Sequence, residues 1–212
     1  MAYWVVPPEW TGETVFILGG GPSLARENLR QLVGSRVIAI NNAYEIFPQA
    51  DVLYFADNKW WYHHAKQIQE TFEGRCIVTI ADVNGPVRRL RHLGQIGFST
   101  DPGALYDGAN STYQALQIAY HFGVKRIVLI GVDMKVINGH THWHGGHKYT
   151  KQTQLGYENV FQHTMLPLFK YAVEPLKQAG VEVIITSRES ALTLWPYKSL
   201  VSVVQDMKRE EF

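Results

Sequence analysis

The sequence predicts an α/β fold of three layers, in which a mostly parallel, Rossmann-like sheet carries helices on both faces. Short runs rich in Val and Ile recur along the chain with helical stretches between them. The runs are apolar throughout, without alternation, which is typical of strands buried on both faces of a parallel sheet. The chain has 212 residues, 46% of them hydrophobic, which is enough for one core, so we predict a single domain over residues 1–212.

Six strands and four helical stretches follow from this pattern. The strands are residues 14–18, 36–40, 51–55, 75–79, 126–130 and 181–185, and the helical stretches are residues 23–33, 58–72, 111–122 and 151–179. The first helix begins at Pro22 and Ser23, which suit an initial helical turn. The last helix is expected to break or kink near Pro167 and Pro175. Residues 82–108 and 132–150 stay unassigned, and loops of that length in a compact domain are more often functional than accidental.

Charge and composition exclude several classes of protein. The 20 basic and 19 acidic residues give a net charge of +1, far from the balance of a dedicated nucleic-acid binder. The basic run 88–92 could contact the phosphates of a nucleic acid. The alternative is that it forms the solvated face of a helix. The single Cys76 excludes an internal disulfide, and no apolar run approaches the roughly 20 residues of a membrane span. Without a signal-peptide layout at Met1, we expect a cytoplasmic protein; its oligomeric state stays open.

The loop Gly19-Gly20-Gly21-Pro22-Ser23 joins the first strand to the first helix and predicts a phosphate site. Ligands of open parallel sheets bind beyond the carboxyl ends of the strands. Glycines let backbone N–H groups approach an anion, and a helix N-terminus carries partial positive charge. The loop is not a Walker A loop, because no Gly-Lys-Ser/Thr follows. It is not the dinucleotide fingerprint either, because Leu24 replaces the third glycine. A tight strand-to-helix turn is the alternative.

Polar residues after the other strands are the remaining candidates for nucleotide contacts. Asn41 and Asn42 follow the second strand, and their amides suit a ribose or a base edge, although asparagine also turns chains. Asp57 follows the third strand and is expected to hold Mg²⁺, contact a sugar or cap the next helix. Asn110-Ser111-Thr112 precedes the third helix and offers hydroxyls and backbone donors, with a plain N-cap as the alternative.

The segment 132–150, which we name the histidine segment, is predicted to be a His-rich lid loop within the domain. It contains four histidines in eight residues, His140, His142, His144 and His147. An extended segment would place the first three on one face, where they could chelate zinc. No cysteine and no HExxH pattern accompanies them, so a histidine that acts as a general base near neutral pH is favoured. Solvated loop histidines are the alternative.

Four motifs together resemble a known superfamily. They are Ile17-Leu18-Gly19-Gly20-Gly21-Pro22-Ser23-Leu24, an Asn after the second strand, Ala109-Asn110-Ser111-Thr112, and residues 124–133, which end in Gly131-Val132-Asp133. One branch of this superfamily contains bacterial sialyltransferases that use CMP-sialic acid, together with motility-associated factor proteins implicated in flagellin glycosylation. The other contains archaeal 6-hydroxymethylpterin diphosphokinase-like proteins. The resemblance spans about residues 14 to 195.

The sialyltransferase branch implies that this chain binds a CMP-sugar-like donor. By this resemblance, the residues that contact CMP and the rest of the donor would be Gly20, Gly21, Pro22 and Ser23, Asn41 or Asn42, and Ser111 or Thr112. A lid histidine would deprotonate the acceptor hydroxyl, with His142, His144 and His147 as candidates, and Tyr149 would assist the departing phosphate. The diphosphokinase branch implies Mg²⁺ held by Asp57 and Asp133 at the same nucleotide site.

Three hypotheses follow. The first is a nucleotide-sugar-dependent glycosyltransferase in which a lid histidine acts as the base. The second is a Mg²⁺-dependent pyrophosphoryl or nucleotide transferase with Asp57 and Asp133 as metal ligands. The third is a non-catalytic module that reads a nucleotide or nucleic acid through Arg88, Arg89 and Arg91. The acceptor stays open between a glycan, a protein, a metabolite and a DNA base.

Overall fold

The computed structural model describes residues 3–145 and 153–210, and its centre is a seven-stranded sheet. The strands are β1 Thr14–Leu18, β2 Arg36–Ile40, β3 Val52–Phe55, β4 Cys76–Thr79, β5 Val87–Arg89, β8 Arg126–Ile130 and β9 Glu182–Ile185. Their order across the sheet is β5-β4-β3-β2-β1-β8-β9, and every pair is parallel. Two short strands, β6 Arg91–His92 and β7 Ala104–Leu105, form a separate parallel pair.

Helices and 3₁₀ turns connect most of the strands. The α-helices are α1 Asn58–Thr71, α2 Ser111–His121, α3 Gln154–Val160, α4 Leu166–Leu168, α5 Lys170–Gln178 and α6 Leu200–Glu210. Three 3₁₀ turns lie at Pro22–Arg26, Leu29–Leu32 and Asn41–Glu45. A π-helical turn at Phe161–Met165 separates α3 from α4. None of the helices within the described ranges is long and apolar enough to cross a membrane.

Alternate residues of the central strands pack into two apolar cores, one on each face of the sheet. Ile17 of β1 lies in the core that α2 and α5 complete with Leu116 and Leu176. Its neighbour Leu18 lies in the opposite core, to which α1 contributes Trp60. Helices therefore cover both faces, and the predicted three-layer α/β fold is confirmed. Each of the six predicted strands is present, with its boundaries within one residue of the prediction.

The predicted first helix, 23–33, is wrong. The chain forms the two 3₁₀ turns Pro22–Arg26 and Leu29–Leu32 instead, because Glu27 adopts an extended conformation with φ −89° and ψ 141°. The side chain of Asn28 then accepts a hydrogen bond from the N–H of Arg30 and starts the second turn. A five-residue turn carries only a small dipole, so the electrostatic argument for an anion at Ser23 loses its basis.

The basic run 88–92 lies in strands β5 and β6 rather than on a helix face. Arg89 pairs with Asp82 at 2.5 Å and Arg91 with Asp101 at 2.5 Å. The guanidinium of Arg88 lies 4.9 Å from the centre of the Trp4 ring. Because the two carboxylates offset part of the positive charge, this run is poorly suited to contact phosphates.

The helical prediction over 151–179 is confirmed from Gln154 to Gln178, including its interruptions. The π-helical turn precedes Pro167, which stands in the first turn of α4. Pro175 lies inside α5. Proline cannot donate a backbone hydrogen bond, and π turns accommodate such defects.

The first testable prediction concerns His121 at the end of α2. Burial lowers its pKa from 6.5 to about 4, so between these two pH values the unfolded chain binds a proton that the folded chain does not. The free energy of unfolding should therefore fall as the pH drops from 6.5 toward 4. His121→Gln should flatten this slope in urea titrations across that range. His163→Gln, which changes an exposed histidine, is the control, and an unaltered slope in His121→Gln would contradict the assignment.

Candidate active site

The site lies where the strand order reverses. From β1 the chain continues to β2 on one side and reaches β8 on the other, so the carboxyl ends of β1 and β8 flank a crevice. A cavity of about 270 Å³ opens there, and we name it the switch-point cavity. The predicted site residues that line it are Gly20, Gly21, Asn41, Asn42, Asn110, Ser111, Thr112, Asp133, His142 and His144. Gly19, Pro22, Ser23 and Asp57 do not line it, and His147 and Tyr149 lie outside the described residues.

Hydrogen bonds to the end of β8 occupy most of the donors of the glycine loop. The N–H of Gly21 donates to the carbonyl oxygen of Gly131 at 2.7 Å. Ser23 donates its N–H to one oxygen of Asp133 at 2.8 Å and its hydroxyl to the other at 2.6 Å. Asp133 is 1% exposed. The loop and the strand end therefore form one internally bonded unit, and most of the donors that the sequence offered to a phosphate are used within it.

The glycines allow this close approach. A Cβ atom at Gly19 would lie 2.5 Å from the carbonyl oxygen of Gly131, and one at Gly21 would overlap the Asp133 carboxylate. A Cβ at Gly20 would meet only the edge of the His142 ring, at 3.2 Å. Packing therefore requires glycine at Gly19 and Gly21, whereas Gly20 is less tightly packed and lines the switch-point cavity.

The two asparagines after β2 have different roles. Asn42 is buried; its amide donates to Glu45 at 2.8 Å and accepts from the Trp60 indole at 2.9 Å. Asn41 has a φ of +49°, a left-handed conformation that is uncommon outside glycine, although asparagine adopts it more readily than most residues. Ala109 and Met134, with φ of +56° and +50°, line the same cavity. Strained residues of this kind cluster at functional sites, which makes Asn41 the better candidate for a ligand contact.

The start of α2 provides backbone donors. Asn110 caps the helix by accepting a hydrogen bond from the N–H of Tyr113 at 2.9 Å, so its own amide has a structural role. Ser111 and Thr112 occupy the first two helical positions, whose N–H groups have no partner within a helix. Within the described part of the chain, no Lys or Arg side chain lines this cavity. A bound anion would therefore rely on the peptide dipoles of α2.

The described part of the histidine segment, residues 132–145, bends over the glycine loop. Ile137 and His140 exchange two backbone hydrogen bonds of 2.9 Å around a turn at Asn138 and Gly139. The N–H of Trp143 then donates to the carbonyl oxygen of Gly20 at 3.1 Å. This contact fixes the segment above the glycine loop.

The fixed segment brings two of its histidines to the switch-point cavity. His142 and His144 line the cavity with ring centres 5.2 Å apart, whereas His140 lies on the exposed side of the turn. The three histidines that an extended segment would place on one zinc-binding face, His140, His142 and His144, therefore do not form a common face. The described residues contain no group of three or more metal-ligating side chains.

Sequence reasoning missed Tyr157 of α3. Its ring lies edge-on to His142, with ring centres 5.4 Å apart, and it lines the switch-point cavity together with Phe161. The sequence prediction considered residues that come just after strands. Tyr157 does not, because α3 follows no strand directly. The spacing of four between Tyr157 and Phe161, which puts both on one helix face, was the available signal.

A second, more open cavity of about 700 Å³ lies beside the first, and we name it the side cavity. Asp57 lines it and caps α1 by accepting hydrogen bonds from the N–H groups of Lys59 and Trp60, at 2.6 and 3.2 Å. Asp57 and Asp133 thus line different cavities. The two carboxylates assigned to Mg²⁺ therefore do not face one common cavity.

No family model and no curated protein matches the sequence. Among solved structures, the sialyltransferase CstII of Campylobacter jejuni in complex with cytidine-5'-monophosphate is similar, with a TM-score of 0.56 and 16% identity over 89% of this chain and 86% of CstII. The MAf glycosyltransferase of Magnetospirillum magneticum AMB-1 is similar with a TM-score of 0.60 and 16% identity over 99% of this chain. The match covers 38% of the MAf protein, so this chain spans less than half of its length. The fold implied by the resemblance is therefore confirmed for the sialyltransferase and MAf branch.

The packing of the glycine loop gives a prediction that compares neighbouring glycines. Gly21→Ala should lower the free energy of unfolding by about 1–3 kcal/mol or more, because the new methyl group overlaps a buried carboxylate. Gly20→Ala, at a position that faces the cavity, should change it by less than about 0.5 kcal/mol. Urea unfolding of both variants tests this, and equal losses in the two would show that the loop is not packed as described.

Proposed function

We propose that this protein is a glycosyltransferase that transfers a sugar from a nucleotide donor to a hydroxyl group of an acceptor. The observation that carries the proposal is that His142 and His144 line the same cavity as Asn41 and the N-terminus of α2. A proton acceptor thus lies beside the groups that suit a nucleoside and a phosphate. The likeness in fold to a sialyltransferase solved with cytidine-5'-monophosphate supports a CMP-sugar as the donor.

In this proposal the phosphate of the donor binds at α2 rather than at the glycine loop. The Asp133 carboxylate accepts hydrogen bonds from the N–H and the hydroxyl of Ser23 and would repel an anion at the glycine loop. The N–H groups of Ser111 and Thr112 begin an eleven-residue helix, and such helix starts bind anions. The amide of Asn41, with both a donor and an acceptor, suits the ribose or the base.

The chemistry is a displacement at the anomeric carbon of the donor sugar. The acceptor oxygen forms a bond to that carbon, while the bond from the carbon to the phosphate oxygen breaks and the nucleotide leaves with the electron pair. His142 or His144 takes the proton of the acceptor hydroxyl. The α2 amides stabilise the charge on the departing phosphate. Tyr157 lines the same cavity and would assist that departure, a role that the resemblance implied for Tyr149.

Binding of the donor nucleotide is tested by thermal unfolding with CMP, UDP, GDP, ADP and ATP plus Mg²⁺. At a hundred times its Kd, CMP should stabilise the protein by about 2.7 kcal/mol, which raises the Tm by roughly 5–10 °C. Asn41→Gly removes the amide but tolerates the positive φ, so it should weaken CMP binding about tenfold without loss of stability. Stabilisation by ATP with Mg²⁺ but not by CMP would favour the pyrophosphoryl transferase instead.

The role of the histidine segment is tested by replacing His142, His144 and His147 together with glutamine. Loss of the general base should lower the release of CMP from a CMP-sugar in the presence of acceptor sugars by about 10²–10⁴-fold. CMP binding should be retained, because the groups assigned to the nucleotide lie on β2 and α2. His163→Gln is the matched control. Unchanged turnover in the triple variant would remove the histidines from the mechanism.

A further inference from the structure

We propose that the side cavity is the acceptor subsite, where His92, oriented by Asp107, binds an uncharged polyhydroxylated acceptor such as a neutral sugar. This inference rests on the proposed function and identifies the acceptor class for it. Neither His92 nor Asp107 lines the switch-point cavity, and both line the side cavity.

The position of the side cavity suits an acceptor. It shares one wall with the switch-point cavity, formed by Asn41, Ala109, Asn110, Ser111 and Tyr157. A molecule in the side cavity therefore lies next to a donor bound in the other. The side cavity is the larger and more open of the two, so it has room for an acceptor molecule.

The geometry of His92 and Asp107 is that of an oriented donor and acceptor pair. Nε2 of His92 lies 2.7 Å from Oδ2 of Asp107. When Nε2 carries the proton and donates it to the carboxylate, Nδ1 is left as an acceptor for a hydroxyl group. The side chain of His92 is 47% exposed and that of Asp107 is 24% exposed, so an acceptor can reach the pair.

Asp107 is held in place far more firmly than a surface ion pair requires. Its Oδ1 accepts a hydrogen bond from the N–H of Ala109 at 2.7 Å, and its carbonyl oxygen accepts one from the Gln114 amide at 2.8 Å. Gln114 in turn accepts a hydrogen bond of 2.8 Å from the hydroxyl of Tyr54, a buried residue of β3. An exposed pair stabilises a fold by at most about 1 kcal/mol, so stability alone does not explain this framework. Preorganisation of a binding group does.

The charge of the side cavity defines the class of acceptor. Asp57 and Asp107 contribute carboxylates, and Gln95 and Gln114 contribute amides. Among the described residues, no Lys or Arg side chain lines this cavity. Carboxylates and amides bind hydroxyl groups well, whereas an acceptor with its own carboxylate would be repelled. In this arrangement His92 positions the acceptor, and the proton leaves to a histidine of the histidine segment.

The test is an NMR titration of the full chain with the methyl glycosides of glucose, galactose, mannose and N-acetylglucosamine, each with and without CMP. The ring signals of His92, assigned by their loss in His92→Gln, should shift with at least one glycoside. His92→Gln should weaken that glycoside about tenfold and leave CMP binding unchanged. His163→Gln should leave both affinities unchanged.

Asp57→Asn tests the charge argument, because asparagine also caps helices. The C6 carboxylate of the glycoside should bind wild-type protein more weakly than the glycoside itself does. Asp57→Asn should reduce this difference in affinity. Equal binding of the carboxylate to wild-type protein, or no shift at His92 with any of the four glycosides, would overturn the inference. If CMP binds in that case, the proposed donor site survives. If a glycoside shifts His92 but CMP does not bind, the acceptor subsite stands and the proposed function fails.

Discussion

The buried carboxylate of Asp133 joins the end of β8 to the loop after β1, and the arrangement of the site depends on this contact. Two hydrogen bonds from Ser23 satisfy it, and removing it would leave a buried N–H without an acceptor, at a cost of about 1–3 kcal/mol. The contact also uses the donors that a phosphate would need. Under the proposed function the anion is therefore expected at α2, and the nucleotide is expected between the glycine loop and α2.

The sequence predicted the sheet well because its signal is strong. Continuous apolarity at residues 14–18 and 126–130 reflects burial on both faces, which only a covered parallel sheet provides. The prediction of the first helix failed because the local sequence does not show where the helix stops. Pro22 and Ser23 indicate that a helix begins, but nothing nearby indicates that Glu27 becomes extended. Strand β5 was missed because Arg88 and Arg89 interrupt the apolar pattern, although an edge strand tolerates charge.

The candidate site was predictable to the extent that it lies at strand ends. Carboxyl ends of parallel strands share one edge, so Gly20, Asn41 and Asp133 had to lie near each other. The choice between Asn41 and Asn42 was not predictable, because it depends on the bond from the Trp60 indole to Asn42. His92 was missed for a similar reason. It lies in the short strand β6, and its partner Asp107 is fifteen residues away in an irregular stretch.

Asp107 forms hydrogen bonds both to the wall that the two cavities share and to His92 in the side cavity. One of its oxygens holds the N–H of Ala109, a residue of the shared wall with a φ of +56°, and the other holds His92. A strained residue persists only where its surroundings fix it, and here the same carboxylate fixes both the wall and the imidazole. Under the proposed function, one group would therefore set both the position of a donor against the wall and that of an acceptor against His92. An enzyme that must align a hydroxyl with an anomeric carbon benefits from such a common reference, since small misplacements are costly in rate.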